Sequence, residues 1–288
     1  MLDYLGYIFY RLGEGLAVRV PMGRAYRLAR LIAWLYWIFH RRSRATLLTN
    51  LRQVLGPQAD EATVRRTARA GFDHFAYGVV DFFRQPRLLD GELDQLIVSV
   101  TGEEHLHEAQ ASGRGGILMI AHMGPWEASG AWIASQDVPL TGVALTHEAP
   151  QVEQFFLSRR ERSGYRTVPL GQAARELLRT IKRGEMIVVA ADRNFTDSGT
   201  WVEFFGRPAL MPDGHVRIAL RTGAPIIPAF LVRTDDLRVR IILEPPITLQ
   251  KGQDDALSGV RRCLEVMERY ISHWPEQWMA FSRIWPEE

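Results

Sequence analysis

The chain has 288 residues, of which 47% are hydrophobic and 10% aromatic, enough for a real core and too apolar for a disordered chain. A net charge of +2 argues against a nucleic-acid binder, and a single cysteine, Cys263, excludes an internal disulfide and fits a reducing compartment. No Cys/His cluster has zinc spacing; His105 and His107, behind Glu103-Glu104, read as a solvated helix face.

In chain order, the amino terminus is unusual. Leu2 to Tyr10 and Leu31 to Phe39 are aromatic-rich, and Arg41-Arg-Ser-Arg44 follows at once. Residues 1–52 hold nine arginines against Asp3 and Glu14, so the rest of the chain is net acidic. Neither apolar run approaches the roughly 20 uncharged residues of a spanning helix, and Pro21 splits the segment into two helices. The charge order and the lack of a small-residue cleavage site do not fit a secretory signal. Apolar and aromatic residues mixed with arginines suit helices lying in a membrane interface, with arginines on lipid phosphates. An amphipathic cap over the core has the same pattern.

Residues 43–112 read as mostly helical, with a start signal at Asp60-Glu-Ala-Thr and apolar helical spacing from Phe72 to Phe83. Strand-like runs then alternate with helices: 116–121, 141–145, 186–191, 225–232 and 239–243, with helices expected over 150–163, 172–183 and 255–272. That alternation predicts an α/β fold, a sheet with helices packed on it. No internal repeat or low-complexity linker interrupts it. The simplest division is amino-terminal interfacial helices over 1–44 and an α/β domain over 45–288. Cys263 falls on the helical pattern of the last segment and reads as a packed thiol.

The stretch Gly115 to Glu127 carries the first chemical signal. Ile117 to Ala121 has the length of a buried strand, and Pro125 opens a helix, so His122 stands at a strand's carboxyl end. Ligands of open α/β sheets bind there. Glu127, five positions on, would reach back to the ring. A histidine held by a carboxylate can take a proton from a hydroxyl near neutral pH, which suits acyl transfer to an alcohol. A capping glutamate beside a satisfied histidine has the same spacing. A second apolar strand, Met186 to Ala191, ends in Asp192-Arg193 and runs on through Trp201-Val-Glu203-Phe204-Phe205-Gly206. A third segment, Ala219 to Pro228, ends a helix in Gly223 before another strand.

In this order these segments resemble the bacterial lipid A biosynthesis (late) acyltransferase family, with the phosphatidylinositol mannoside acyltransferases as its actinobacterial branch. Asn50-Leu51, Pro275-Glu-Gln-Trp278 and Arg283-Ile-Trp285 extend the resemblance over nearly the whole chain. It implies a glycerolipid acyltransferase-like mixed sheet flanked by helices. It also implies an enzyme on the cytoplasmic face of the inner membrane that moves a fatty acyl group from acyl carrier protein or coenzyme A to a glycolipid hydroxyl. His122 and Glu127 match the catalytic motif, Asp192 and Arg193 the Asp-Arg pair, and Phe204-Phe205-Gly206 the aromatic-glycine loop. In the mannoside branch an additional glutamate near the loop is expected; the nearest position here is Trp201, with Glu203 two residues on.

On this reading His122 is the base and Glu127 holds its tautomer. Backbone amides near Gly124 or the Arg193 guanidinium are candidate oxyanion donors. Asp192 positions Arg193 or an acceptor hydroxyl. Trp126, Trp132, Phe204 and Phe205 either line an acyl groove or are plain core. Without a Gly-x-Ser-x-Gly elbow, direct attack is the simpler scheme. No cofactor or metal is called for. A thioesterase using the same pair, or a non-catalytic lipid-binding protein of the same fold, are the rival readings; acceptor and chain length stay open.

Overall fold

Seven strands make the central sheet of the computed structural model, which describes residues 2–286. Met1, Glu287 and Glu288 lie outside the described residues, as do the side chains at 2–6 and 9 in the first aromatic run and at 128, 129, 131 and 134. The strands are β1 (Ile97–Thr101), β2 (Gly116–Ile120), β3 (Leu140–Ala144), β4 (Tyr165–Pro169), β5 (Met186–Ala190), β8 (Ile226–Arg233) and β9 (Val239–Leu243). Their order is β1-β9-β8-β2-β5-β3-β4, parallel at every pair except β8 with β9, so the sheet is mixed. β6 (Thr200–Phe204) and β7 (Arg207–Met211) form a separate antiparallel hairpin.

The helices are α1 (Leu2–Arg19), α2 (Met22–Phe39), α3 (Arg41–Leu55), α4 (Glu61–Phe83), α5 (Gln85–Arg87), α6 (Leu93–Leu96), α7 (Glu103–Ala111), α8 (Trp126–Ser135), α9 (Pro150–Arg162), α10 (Ala173–Lys182), α11 (Gly214–Thr222) and α12 (Ala256–His273). Local chemistry sets their ends. Pro21 precedes α2 and separates it from α1, and the Asp60 carboxylate caps α4 by accepting from Thr63 N–H at 2.7 Å. Asp255 and Ser258 form a reciprocal capping box on α12.

β2 lies at the sheet's middle, and all five of its residues are buried because helices cover both faces. The alternation of side chains divides them. Ile117 and Met119 join one core with α3, α4, α10, α11 and α12, while Leu118 and Ile120 join the other with α7 and α8. The same two-layer burial explains why the central strands read as unbroken apolar runs.

Three elements differ from expectation. β1 falls inside the stretch read as helical, and β4 follows α9 where no strand was predicted. Both are edge strands with exposed or half-exposed positions, so they lack the unbroken apolar run that marks the central strands. The third is the hairpin. Phe205 (φ 50°) and Gly206 (φ 71°) fill its two-residue turn, the left-handed pair of a type I′ connection.

Helix α2 has two unlike faces. Ala25, Tyr26, Ala29, Ala33 and Trp37 are buried, whereas Leu28, Leu31, Ile32, Leu35, Ile38 and Phe39 form an exposed apolar stripe, Phe39 being 77% exposed. The buried face is pinned by a polar hub. Tyr26 donates to Asp81 Oδ1 at 2.5 Å, and Arg233 of β8 pairs with the other Asp81 oxygen, both charged side chains being 1% exposed. Among the described residues no helix is long and apolar enough to cross a membrane.

Candidate active site

β2 and β5 are neighbours in register, Ile120 opposite Ala190, and the Ala191 N–H extends the ladder by donating to the Ile120 carbonyl at 3.0 Å. His122 and Asp192 each stand two residues past that last pair, so their side chains meet at the carboxyl edge of the sheet. His122 Nδ1 lies 2.7 Å from Asp192 Oδ1, a contact between residues 70 apart in sequence. The carboxylate on the imidazole is therefore Asp192, not Glu127 as the spacing predicts.

Asp192 is wholly buried, which alone would raise its pKa. His122, Arg193 and a hydrogen bond from Trp278 Nε1 at 2.9 Å outweigh burial and hold the carboxyl well below its ordinary range. An ionised carboxylate only accepts, so Nδ1 carries a proton, and in the neutral ring Nε2 then presents its lone pair. The His122 side chain is 16% exposed. Trp126 and Phe195 flank the ring edge-on, with centroids at 5.4 and 6.2 Å.

Glu127 turns elsewhere because the first turn of α8 directs it at α9 and β4. Its Oε1 accepts from Arg160 Nη2 at 2.7 Å and its Oε2 from the Tyr165 hydroxyl at 2.8 Å. Burial disfavours the Arg160 charge, but Glu127 more than compensates and raises its pKa. Burial first, and Glu127 second, push the Tyr165 hydroxyl far up, so it stays a neutral donor.

Arg193 is on the His122 side of the molecule. Its guanidinium carbon sits 5.0 Å from the Phe195 ring centroid, the same ring that touches His122. Its Nη1 reaches Met279 O and Ser282 Oγ only at 3.4 and 3.3 Å, and its buried Nε has no partner. The other candidate oxyanion donor is occupied: Gly124 N–H donates to Gln277 O at 3.0 Å. Gly124 has φ 55°, and a Cβ there would lie 2.0 Å from Leu231 O, so no larger residue fits without moving β8.

The aromatic-glycine loop is not at the imidazole. Phe204 is fully buried and packs on Trp278 and Trp285, whose Nε1 donates to Phe204 O at 3.0 Å. Phe205 is held by Gln53 through its carbonyl and by Glu268 through its amide. Glu203 is exposed on β6, and Trp132 is buried in the core beneath α8, so neither touches His122. Tyr165, Arg160, Phe195 and Trp278 were missed as site residues. Only Trp278 had a signal, since it closes a motif that had been noticed without a role.

The described residues contain no group of three or more His, Cys, Asp or Glu side chains that would hold a metal. The chain matches the family described as bacterial lipid A biosynthesis acyltransferase over residues 1–287. It is 28% identical over 245 residues to a phosphatidylinositol mannoside acyltransferase of Mycolicibacterium smegmatis, covering 83% of this chain and 78% of that protein. A protein of the same name from Mycobacterium tuberculosis is 32% identical over 156 residues, 51% of this chain and 48% of that one. A lipid A biosynthesis lauroyltransferase of Escherichia coli is 24% identical over 271 residues, 93% and 87% of the two chains. The chain thus belongs to the bacterial lipid A biosynthesis acyltransferase family, and it is an acyltransferase.

Proposed function

We propose that the protein moves a fatty acyl group from an acyl thioester, on acyl carrier protein or coenzyme A, to a hydroxyl of a glycolipid, with His122 as general base. The observation that carries this reading is the His122–Asp192 pair, with Nδ1 engaged and Nε2 available beside Trp126 and Phe195. His122 Nε2 takes the proton of the acceptor hydroxyl as its oxygen attacks the thioester carbonyl. The imidazolium so formed is stabilised by Asp192, the orienting role of a triad carboxylate. Collapse of the tetrahedral intermediate expels the thiolate, which takes the proton from the His122 imidazolium and leaves the ring neutral again. Arg193 is the nearby cation for the oxyanion. Glu127, tied to Arg160 and Tyr165, holds α8 to α9 and β4 and so shapes the wall of the cleft. The glycolipid class is taken from the names of the relatives.

The exposed stripe of α2 supports a peripheral seat on a membrane surface, which we place at the cytoplasmic face of the inner membrane. Six large apolar side chains at helical spacing would enter the interface, and Arg41 and Arg42 follow directly. A cavity of about 420 Å³ lined by Arg42, Ala45, Thr46, Thr49 and Arg283 adds two guanidinium groups suited to lipid phosphates.

Intact-lipid mass spectrometry of a strain lacking the gene tests the function. A glycolipid short of one acyl chain should accumulate, and the wild-type gene should restore it where His122→Ala does not. Restoration by His122→Ala would refute the base assignment. Thiol release from palmitoyl coenzyme A that is indifferent to added glycolipid would refute transfer.

A further inference from the structure

The segment after α12 adds no strand to the sheet; it crosses the carboxyl edge where His122 sits. Pro275–Gln277 is one 3-10 turn. Beyond it Met123 and Trp278 form an antiparallel bridge, and Met279 N–H donates to the His122 carbonyl at 2.8 Å. On the other flank Gly124 N–H donates to the Gln277 carbonyl at 3.0 Å. The Gln277 side chain then imitates a strand: its oxygen accepts from Arg233 N–H at 2.7 Å and its nitrogen donates to the Arg233 carbonyl at 2.8 Å. The backbone on both sides of Met123, from the His122 carbonyl to the Gly124 amide, is thereby tied to one strap, and the strap is tied to β8.

We infer that Gln277 and Trp278 are positioning residues of the catalytic pair, Gln277 fixing the backbone that carries His122 and Trp278 fixing the carboxylate that faces its ring. The inference rests on the reading of His122 as base and Asp192 as its partner. A carboxylate with one hydrogen-bond partner can turn about its last torsion; a second donor on the other oxygen stops it. Asp192 has that second donor in the Trp278 indole, and both side chains are fully buried. Buried carboxylate oxygens need donors, and few donors are compatible with the chemistry. A cation bonded to Oδ2 in addition to the nearby Arg193 would compete further with the imidazolium for the negative charge, whereas an indole N–H donates without bringing charge. Packing against Phe204, Phe205 and Trp285 accounts for the bulk of Trp278 but not for the direction of its N–H.

The test uses the full chain, palmitoyl coenzyme A as donor, and the glycolipid extract of a strain lacking the gene as acceptor. Trp278→Phe should lower kcat roughly tenfold or more and leave KM within about twofold. The acid limb of the kcat–pH profile should move to higher pH, because the Asp192 charge is no longer shared with the indole. In an Asp192→Asn background the same change should cost nothing further, since the pair acts as a unit. A kcat within about twofold of wild type, or a loss that multiplies in the double variant, would overturn the inference. If Trp278→Phe does not fold, β-(3-benzothienyl)alanine at 278 keeps the ring size without the N–H and carries the same expectations. Failure of the base reading looks different: His122→Ala would stay active whatever stands at 278.

Discussion

Acidification should weaken the fold through buried histidines outside the His122 pair, His74 and above all His215. His215 on α11 is 2% exposed, and neither ring nitrogen has a hydrogen-bond partner. Burial pushes its pKa from 6.5 down to about 4, only partly opposed by Asp213. The unfolded chain binds a proton at this site below about 6.5 while the native state binds none until about 4. The contribution to stability is therefore intact above 6.5 and is lost as pH falls toward 4. At about 1.4 kcal/mol per pKa unit, the full loss is about 3 kcal/mol, of which roughly 1.3 kcal/mol falls between pH 7.5 and 5.5. Against a typical 5–15 kcal/mol that is a large share. Urea unfolding at the two pH values measures it, with His215→Leu as the reference that removes the titration and keeps other groups. The variant should show a flatter dependence by about 1.3 kcal/mol, with stability at pH 7.5 near or above wild type, since two unpaired nitrogens are gone. An identical pH dependence in the two proteins would refute the reasoning.

Asp192→Asn should cost more rate than Glu127→Gln, because only Asp192 touches the imidazole; steady-state thiol release with glycolipid checks the order, and an expected loss of about 10² to 10⁴ belongs to the first. Asp81→Ala should destabilise the fold by about 3–5 kcal/mol in denaturant unfolding, since it strands the buried Arg233 charge. Replacing Ile32 and Phe39 on α2 by Glu should release the protein from sedimenting vesicles with little change in its melting temperature, because each is more than half exposed.

What could be read from the residues follows the physics of each signal. The central strands were legible because burial on both faces writes them as continuous apolar runs, and the break at Pro21 because proline stops a helix. His122 and Asp192 stood out for one shared reason: each ends such a run with a polar side chain. Their partnership was not legible, since it depends on β2 lying beside β5, a fact of topology rather than of local pattern. Proximity in sequence pointed to Glu127, whose true partners, Arg160 and Tyr165, come from α9 and β4. Trp278 has no period to place it; only the strap's path over the sheet brings its N–H to Asp192.

The parallel register of β2 against β5 has a consequence for how the pair can be broken. The distance between His122 and Asp192 is set by two strands and their ladder, not by what joins them. The crossover from α8 through α10 does not set that distance directly, although its β3 and β4 complete the sheet beside β5 and its Trp126 flanks the His122 ring. That crossover carries Glu127, Arg160 and Tyr165. One residue inserted within either strand would shift its carboxyl end by a position and separate the pair.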